Sequence, residues 1–205
     1  MKSKSELKDK SAKYFDKVAE KNHIIKEPQR CYPLVLNRLK TYSGKILDVG
    51  CGEGLLLEMI NNDYKEKFDL FGIDISANTI EKAQKKLGDR IVFKQGDSEN
   101  LPFENNSFDV ILCTHSFHHY PRPLKALKEM QRCLSNDGVI LIAENYRREL
   151  PRRLRNIAYI LLNHPNGDIR YYSQVELAKL LNQAGLKNIT SELITEKSFL
   201  IKGQK

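Results

Sequence analysis

Three short stretches of this chain combine residue types and spacings that could do chemistry. The first, Asp48-Val-Gly-Cys-Gly-Glu-Gly54, follows the apolar run Lys45 to Val49. Its glycines let the backbone turn sharply and approach a ligand with no side chain in the way. The dinucleotide pattern G-x-G-x-x-G would need a glycine at position 55, where Leu55 stands, and the third glycine here is Gly54. Asp48 and Glu53 bracket the turn, so a pyrophosphate would meet repulsion there and a cationic amino-acid group attraction. The second stretch supplies two more acids, Asp74 closing Leu70-Phe-Gly-Ile-Asp-Ile75 and Asp97 in Lys94-Gln-Gly-Asp-Ser98. A carboxylate at a strand end can accept from both ribose hydroxyls, and Asp97 could accept from an adenine amine. Alone, each acid reads as a surface cap or a turn residue. The third stretch, Thr114-His-Ser-Phe-His-His-Tyr120, concentrates three imidazoles, groups suited to acid-base work near neutral pH. Singly, His118 and His119 read equally as packing and helix-capping residues.

The elements that must position these residues alternate along the chain. Short apolar segments rich in β-branched residues occupy Lys45 to Val49, Asp69 to Ile73, Ile91 to Lys94, Asp109 to Cys113 and Gly138 to Ala143. Helical patterns fall at Leu55 to Asn61, Ala77 to Leu87 after an N-cap at Ser76, and Pro123 to Leu134. This alternation predicts βαβ units, a mainly parallel sheet covered on both faces, and a ligand at the carboxyl ends of the strands. Ser5 to Glu20 and Pro28 to Tyr42 read as amphipathic helices before that core. After it come a basic helix from Leu150 to Leu162, a helix from Ser173 to Gln183 stopped by Gly185, and strands near Asn188 to Ile194 and Ser198 to Lys202, close enough for an antiparallel hairpin.

A chain of 205 residues suits one α/β domain with a small elaboration. No apolar run approaches the roughly 20 residues that span a bilayer, and the lysine-rich start lacks a signal peptide's apolar stretch, so a cytoplasmic protein is expected. Cys31, Cys51, Cys113 and Cys133 form no C-x-x-C pair, and the histidines show no metal-ligand spacing; reduced thiols and no metal site are expected. The formal charge of +8 favours anionic partners. Much of it lies in N-terminal lysines, which read as a solvated face, and in Arg147, Arg148, Arg152, Arg153 and Arg155. If those arginines face the acceptor cleft, an anionic substrate or partner follows. The helix's Leu154, Ile157, Ala158, Ile160 and Leu161, with Tyr171 and Tyr172 beyond it, could line the same mouth or present a partner surface.

Ile46 to Gly54, Gly72-Ile-Asp-Ile75, Gly96-Asp-Ser-Glu-Asn-Leu-Pro-Phe103 and Phe108-Asp-Val-Ile-Leu-Cys113 together resemble the successive motifs of class I S-adenosylmethionine-dependent methyltransferases. The likeness continues through Leu127 to Ala143 and covers about residues 44 to 145. It implies a Rossmann-like, doubly wound α/β fold with a seven-stranded sheet, mostly parallel with the last strand antiparallel, and helices on both faces. It also implies S-adenosylmethionine, a cationic amino-acid nucleoside without phosphate, as cofactor. By the same resemblance Asp48, Gly50, Cys51 and Gly52 lie along its methionine moiety, Asp74 holds the ribose, Ile75 packs on adenine, and Asp97 with Ser98 frames the adenine amine. Thr114 would make backbone contacts near the sulfonium.

Residues 1–43 would then form a helical lid, with Tyr14 and Phe15 packing over the cofactor, or equally an ordinary amphipathic helix whose aromatics join the core, and residues 44–205 the core, carrying a basic helical insertion at about 147–172. The pattern is similar to methyltransferases of small metabolites, including quinone and sterol C-methyltransferase relatives. An Asn-Pro-Pro-Tyr motif for base amines and a Pro-Cys nucleophile are both absent. His118 and His119, beyond the fourth strand, are the candidates for acid-base or substrate contact. The competing readings are methylation of RNA or protein, and a regulatory protein that binds the cofactor without turnover.

Overall fold

The computed structural model describes residues 3–20, 31–146, 148–162 and 167–205. The start of the second expected helix, Arg147 and the side chains of Ile160 and Leu161 lie outside the described residues. Seven strands form one sheet: β1 (Gly44–Val49), β2 (Phe68–Asp74), β3 (Val92–Gln95), β4 (Phe108–Thr114), β5 (Leu134–Asn145), β6 (Lys187–Thr195) and β7 (Ser198–Gln204). Their order is β3-β2-β1-β4-β5-β7-β6. β1 pairs in parallel with β2 and β4, and β7 runs antiparallel to both β5 and β6. This is the expected doubly wound sheet, with its reversed strand.

The parallel strands are buried on both faces, which is why they read as continuous apolar runs. Successive side chains go to opposite faces. Leu47, Val49, Ile111, Cys113, Ile140 and Ile142 join one core, and Ile46, Val110, Leu112, Val139 and Leu141 join the other. The first core is covered by α5 (Pro123–Cys133) and α7 (Gln174–Gln183) through Leu127, Met130, Leu177 and Leu181. Helices α2 (Tyr32–Arg38), α3 (Leu55–Tyr64) and α4 (Ala77–Leu87) cover the second. Ser76 caps α4 by accepting from the backbone N–H of Thr79, and Ser173 forms a capping box with Glu176 on α7.

The strand expected from Gly138 begins four positions earlier. Leu134 already pairs with Phe108 and Val139 with Val110, so five residues of β5 pass two of β4 as a bulge. Ser135, Asn136 and Asp137 have turn-like side chains because they swing out there. Outside the sheet, α1 (Lys4–Glu20) lies against the N-terminus of α4. Asp16 accepts from Ser76 Oγ at 2.5 Å and from the Asn78 backbone N–H at 3.3 Å, an acid where the helix dipole favours one. α6 (Glu149–Leu162) follows β5. Among the described residues no helix is long and apolar enough to cross a membrane.

Candidate functional site

β1 and β4 are neighbours in the sheet although β2 and β3 intervene in the chain, so the connections part at their carboxyl ends and leave a crevice. The glycine turn forms its floor. The backbone N–H groups of Gly50 and Cys51 both donate to the Ile73 carbonyl, at 2.8 and 3.1 Å, tying the turn to β2. Gly50 has φ +79°, and a Cβ there would meet Ser116 Oγ at 1.9 Å. Gly52, at φ +55°, would carry its Cβ into open space. The first glycine is thus required by packing against the β4 loop, and the second keeps the ligand side of the turn bare. Gly50→Ala should cost about 2 kcal/mol of stability, combining a left-handed backbone with overpacking. Urea unfolding checks this, and an unchanged midpoint would refute it.

A cavity of about 430 Å³ opens above this turn, within the range of small-molecule sites. Gly50, Cys51 and Gly52 line one end. Asp74, Ile75, Asp97 and Ser98 line the side formed by β2 and β3, and Thr114 and His119 the side beyond β4. Asp48, His118 and Tyr14 do not line it. Asp48 lies beneath the turn, 2% exposed, and its Oδ1 has no hydrogen-bond partner. Tyr14 stands edge-on to Phe15, and of these two it is Phe15 that reaches the cavity and meets the His119 ring at 5.0 Å.

The acids are set by backbone donors and by burial. Asp74 Oδ2 accepts from the Gly52 N–H at 3.0 Å and Oδ1 from the Ser76 N–H at 2.9 Å. Burial raises its carboxyl above the usual range, and these N–H groups oppose the rise. Burial, and then the nearby Asp74, push Asp48 up to about 7. Asp97 accepts from Lys8 Nζ of α1 at 2.5 Å, and Lys8 also lies 2.7 Å from Glu99. Glu99 is in turn held by Arg122 at 2.5 Å. Lys8, which the sequence did not single out, therefore ties α1 across the cavity edge.

The two histidines play different structural parts. His118 is 6% exposed, and its Nδ1 lies 2.8 and 3.1 Å from the Glu144 carboxylate oxygens. His119 faces the cavity, and its Nδ1 is buried without a hydrogen-bond partner. Burial, and then His118, lower the His119 imidazole to about 4. Asp168, which no local pattern announced, lies 3.7 Å from His118 Nε2 and 3.6 Å from His119 Nδ1.

The described arginines of the cluster do not line this cavity. Arg152 is 6% exposed and binds Glu176 at 2.6 Å, Arg153 pairs with Glu149 at 2.6 Å, and Arg155 Nε donates to Tyr159 Oη at 2.9 Å. Of the two placements the sequence left open for the cluster, facing the acceptor cleft or facing out, the described arginines do not take the first. Tyr171 and Tyr172 are buried behind the site, Tyr171 stacked on His118 and Tyr172 against Phe117.

A family model described as a methyltransferase domain matches residues 21–191. The chain belongs to this family. Among curated relatives, this methyltransferase-domain chain is 33% identical over 111 residues to the uncharacterized methyltransferase YcgJ of Bacillus subtilis, covering 52% of the chain and 43% of the relative. It is 32% identical over 120 residues to a demethylmenaquinone methyltransferase of Staphylococcus epidermidis, covering 57% and 50%. The chain thus spans about half the length of the curated relatives it matches. The crystal structure of YcgJ superimposes with a TM-score of 0.71 at 20% identity, covering 86% of this chain and 98% of that one. A Thermotoga maritima protein described as a possible histamine N-methyltransferase gives 0.70 at 21%, covering 94% and 98%. These two likenesses establish the fold.

Family and fold imply S-adenosylmethionine as the cofactor, and the residues present fit it. The bare face of Gly52 admits a ligand, the buried and unpartnered Oδ1 of Asp48 beneath the turn would favour a cationic group above it, and the strand-end carboxylate of Asp74 suits a diol. Thr114 Oγ1 is also buried without a partner.

Proposed function

We propose that this chain transfers a methyl group from S-adenosylmethionine to a small-molecule acceptor. The observation that carries the reading is one continuous cavity that joins the glycine turn and Asp74 to His119. In this reading Gly50, Cys51 and Gly52 receive the methionine end, Asp74 the ribose, Ile75 the adenine face, and Asp97 with Ser98 the adenine edge. The cofactor supplies a methyl group already activated by its sulfonium. The residues of the chain then have to align an acceptor, exclude water and manage a proton.

Phe15 on α1 covers the side where water would enter. His119 is uncharged at neutral pH, since its imidazole is lowered to about 4. It serves better as a hydrogen-bonding contact for the acceptor than as a strong base. His118, held by Glu144, is a positioning residue behind it. Glu144 and Asp168 stand behind the histidines and none of the described arginines lines the cavity, so a neutral or cationic acceptor is favoured over an anionic one by the side chains alone. Arg152 and Arg153 are each paired with a glutamate and neither lines the cavity, which counts against a nucleic-acid substrate held there by them.

Calorimetry with S-adenosylhomocysteine should give one site per chain, and NAD should give none; absence of the first signal would sink the reading. With phenol, quinol and amine acceptors screened by release of S-adenosylhomocysteine, His119→Gln should lose at least about tenfold in turnover. Its affinity for S-adenosylhomocysteine should stay within about threefold, under 1 kcal/mol. Equal turnover would remove His119 from the acceptor end.

A further inference from the structure

We propose that His118, His119 and Asp168 bind one divalent transition-metal ion, of the zinc class, beside the acceptor end of the cavity. One ligand atom from each residue lies within 4.8 Å of the other two. The carboxylate Oδ1 of Asp168 stands 3.7 Å from His118 Nε2 and 3.6 Å from His119 Nδ1. These separations are too long for hydrogen bonds. They are close to the roughly 3.4 Å that bonds of about 2.1 Å set between neighbouring ligands of a tetrahedral ion.

His118 and Asp168 are each supported from the side away from the cluster. The Glu144 carboxylate can only accept, so His118 Nδ1 carries the proton in the 2.8 Å contact and Nε2 presents the lone pair of the neutral ring. A carboxylate behind a histidine is the usual outer support of a metal ligand. Asp168 Oδ2 accepts from Tyr159 Oη at 2.8 Å and from Tyr171 Oη at 3.3 Å, turning Oδ1 toward the imidazoles. The His119 side chain is nine-tenths buried, and its Nδ1 is the atom with no hydrogen-bond partner, aimed at the same point. Two carboxylates, Glu144 and Asp168, flank the cluster, and a divalent charge would offset both. Two imidazoles and one carboxylate suit zinc or ferrous iron better than magnesium or calcium.

Three protein ligands leave a position open, and His119 lines the cavity. An ion there could hold an oxygen of the acceptor. That use rests on the methyl-transfer reading, whereas the metal site itself does not.

The test uses the full chain stripped with a chelator, then titrated with zinc by calorimetry and with cobalt followed by visible absorption. One equivalent should bind, with the spectrum of a four- or five-coordinate ion, and cobalt should displace the ring proton resonances of two histidines. His119→Gln and Asp168→Asn should weaken zinc at least about tenfold, and Glu144→Gln by roughly 10 to 100-fold. S-adenosylhomocysteine binding measured on the same samples reports whether each variant is folded. Failure of the wild-type chain to bind zinc saturably while it binds S-adenosylhomocysteine would overturn the proposal. So would unchanged zinc affinity in His119→Gln and Asp168→Asn, or cobalt that shifts no histidine resonance. Zinc binding by a chain that ignores S-adenosylhomocysteine would uphold the metal and remove the cofactor reading.

Discussion

Asp74→Ala is expected to weaken S-adenosylhomocysteine binding by at least about 100-fold. Two charge-assisted hydrogen bonds to ribose hydroxyls are worth roughly 1.5 to 3 kcal/mol each, and 2.7 kcal/mol already amounts to about 100-fold. The loss has a second source. Asp74 also fixes the floor of the site, because its Oδ2 accepts from the Gly52 N–H and its Oδ1 from the Ser76 N–H. Removing both acceptors frees the turn as well as the ribose contact. Asp74→Asn separates the two effects: its amide oxygen can replace one acceptor, but not the charge, and an intermediate loss of about tenfold is expected. Calorimetry on both variants, alongside their thermal midpoints, checks this. Unchanged affinity in Asp74→Ala would remove the ribose assignment, and an equal loss in both variants would assign the whole effect to charge.

The second large effect is a change in how stability depends on pH. Asp48 is buried with Oδ1 unpartnered, and its carboxyl is pushed from the usual 3.8 to about 7. The native state therefore keeps a proton that the unfolded chain releases between those values. Stability contributed by this group is full below pH 4 and is lost as pH rises through 7. About three pH units at 1.36 kcal/mol each set an upper bound of about 4 kcal/mol. Asp48→Asn cannot titrate, so its stability relative to wild type should climb by up to about that amount between pH 4 and pH 8. Urea unfolding of both proteins at several pH values measures the difference, and parallel profiles would refute it. At pH 8 the same variant should bind S-adenosylhomocysteine more weakly, because in the proposed reading the buried charge that opposes folding also attracts the ligand's ammonium through the turn.

Both acids were legible in the sequence for a physical reason. Strand ends in a parallel sheet are determined by local apolar runs, and a carboxylate within a few residues of such an end has to emerge at the ligand edge or lie beneath it. Asp74 and Asp97 line the cavity as that rule requires, whereas Asp48 stops one layer below, because the turn it precedes folds over it. Tyr14 and Phe15 show the limit of helical periodicity. Adjacent residues of a helix point about 100° apart, so the register of α1 against α4 decides which ring reaches the cavity. Phe15 does.

The alternation of strands and helices, the glycine turn and the strand-end acids were thus determined by the sequence itself, since each depends on neighbours a few residues away. Which of His118 and His119 lines the cavity, and that Glu144 and Asp168 stand behind the pair, were decided only by the tertiary structure. Asp168 arrives from beyond α6, about fifty residues after His118, and no local pattern records that meeting. The arginines teach the same lesson in reverse. Arg152 read as part of an anion site because the spacing of the cluster is local, but the glutamate that neutralises it, Glu176, is brought in by the start of α7, whereas Arg153 pairs with Glu149 one turn earlier in its own helix.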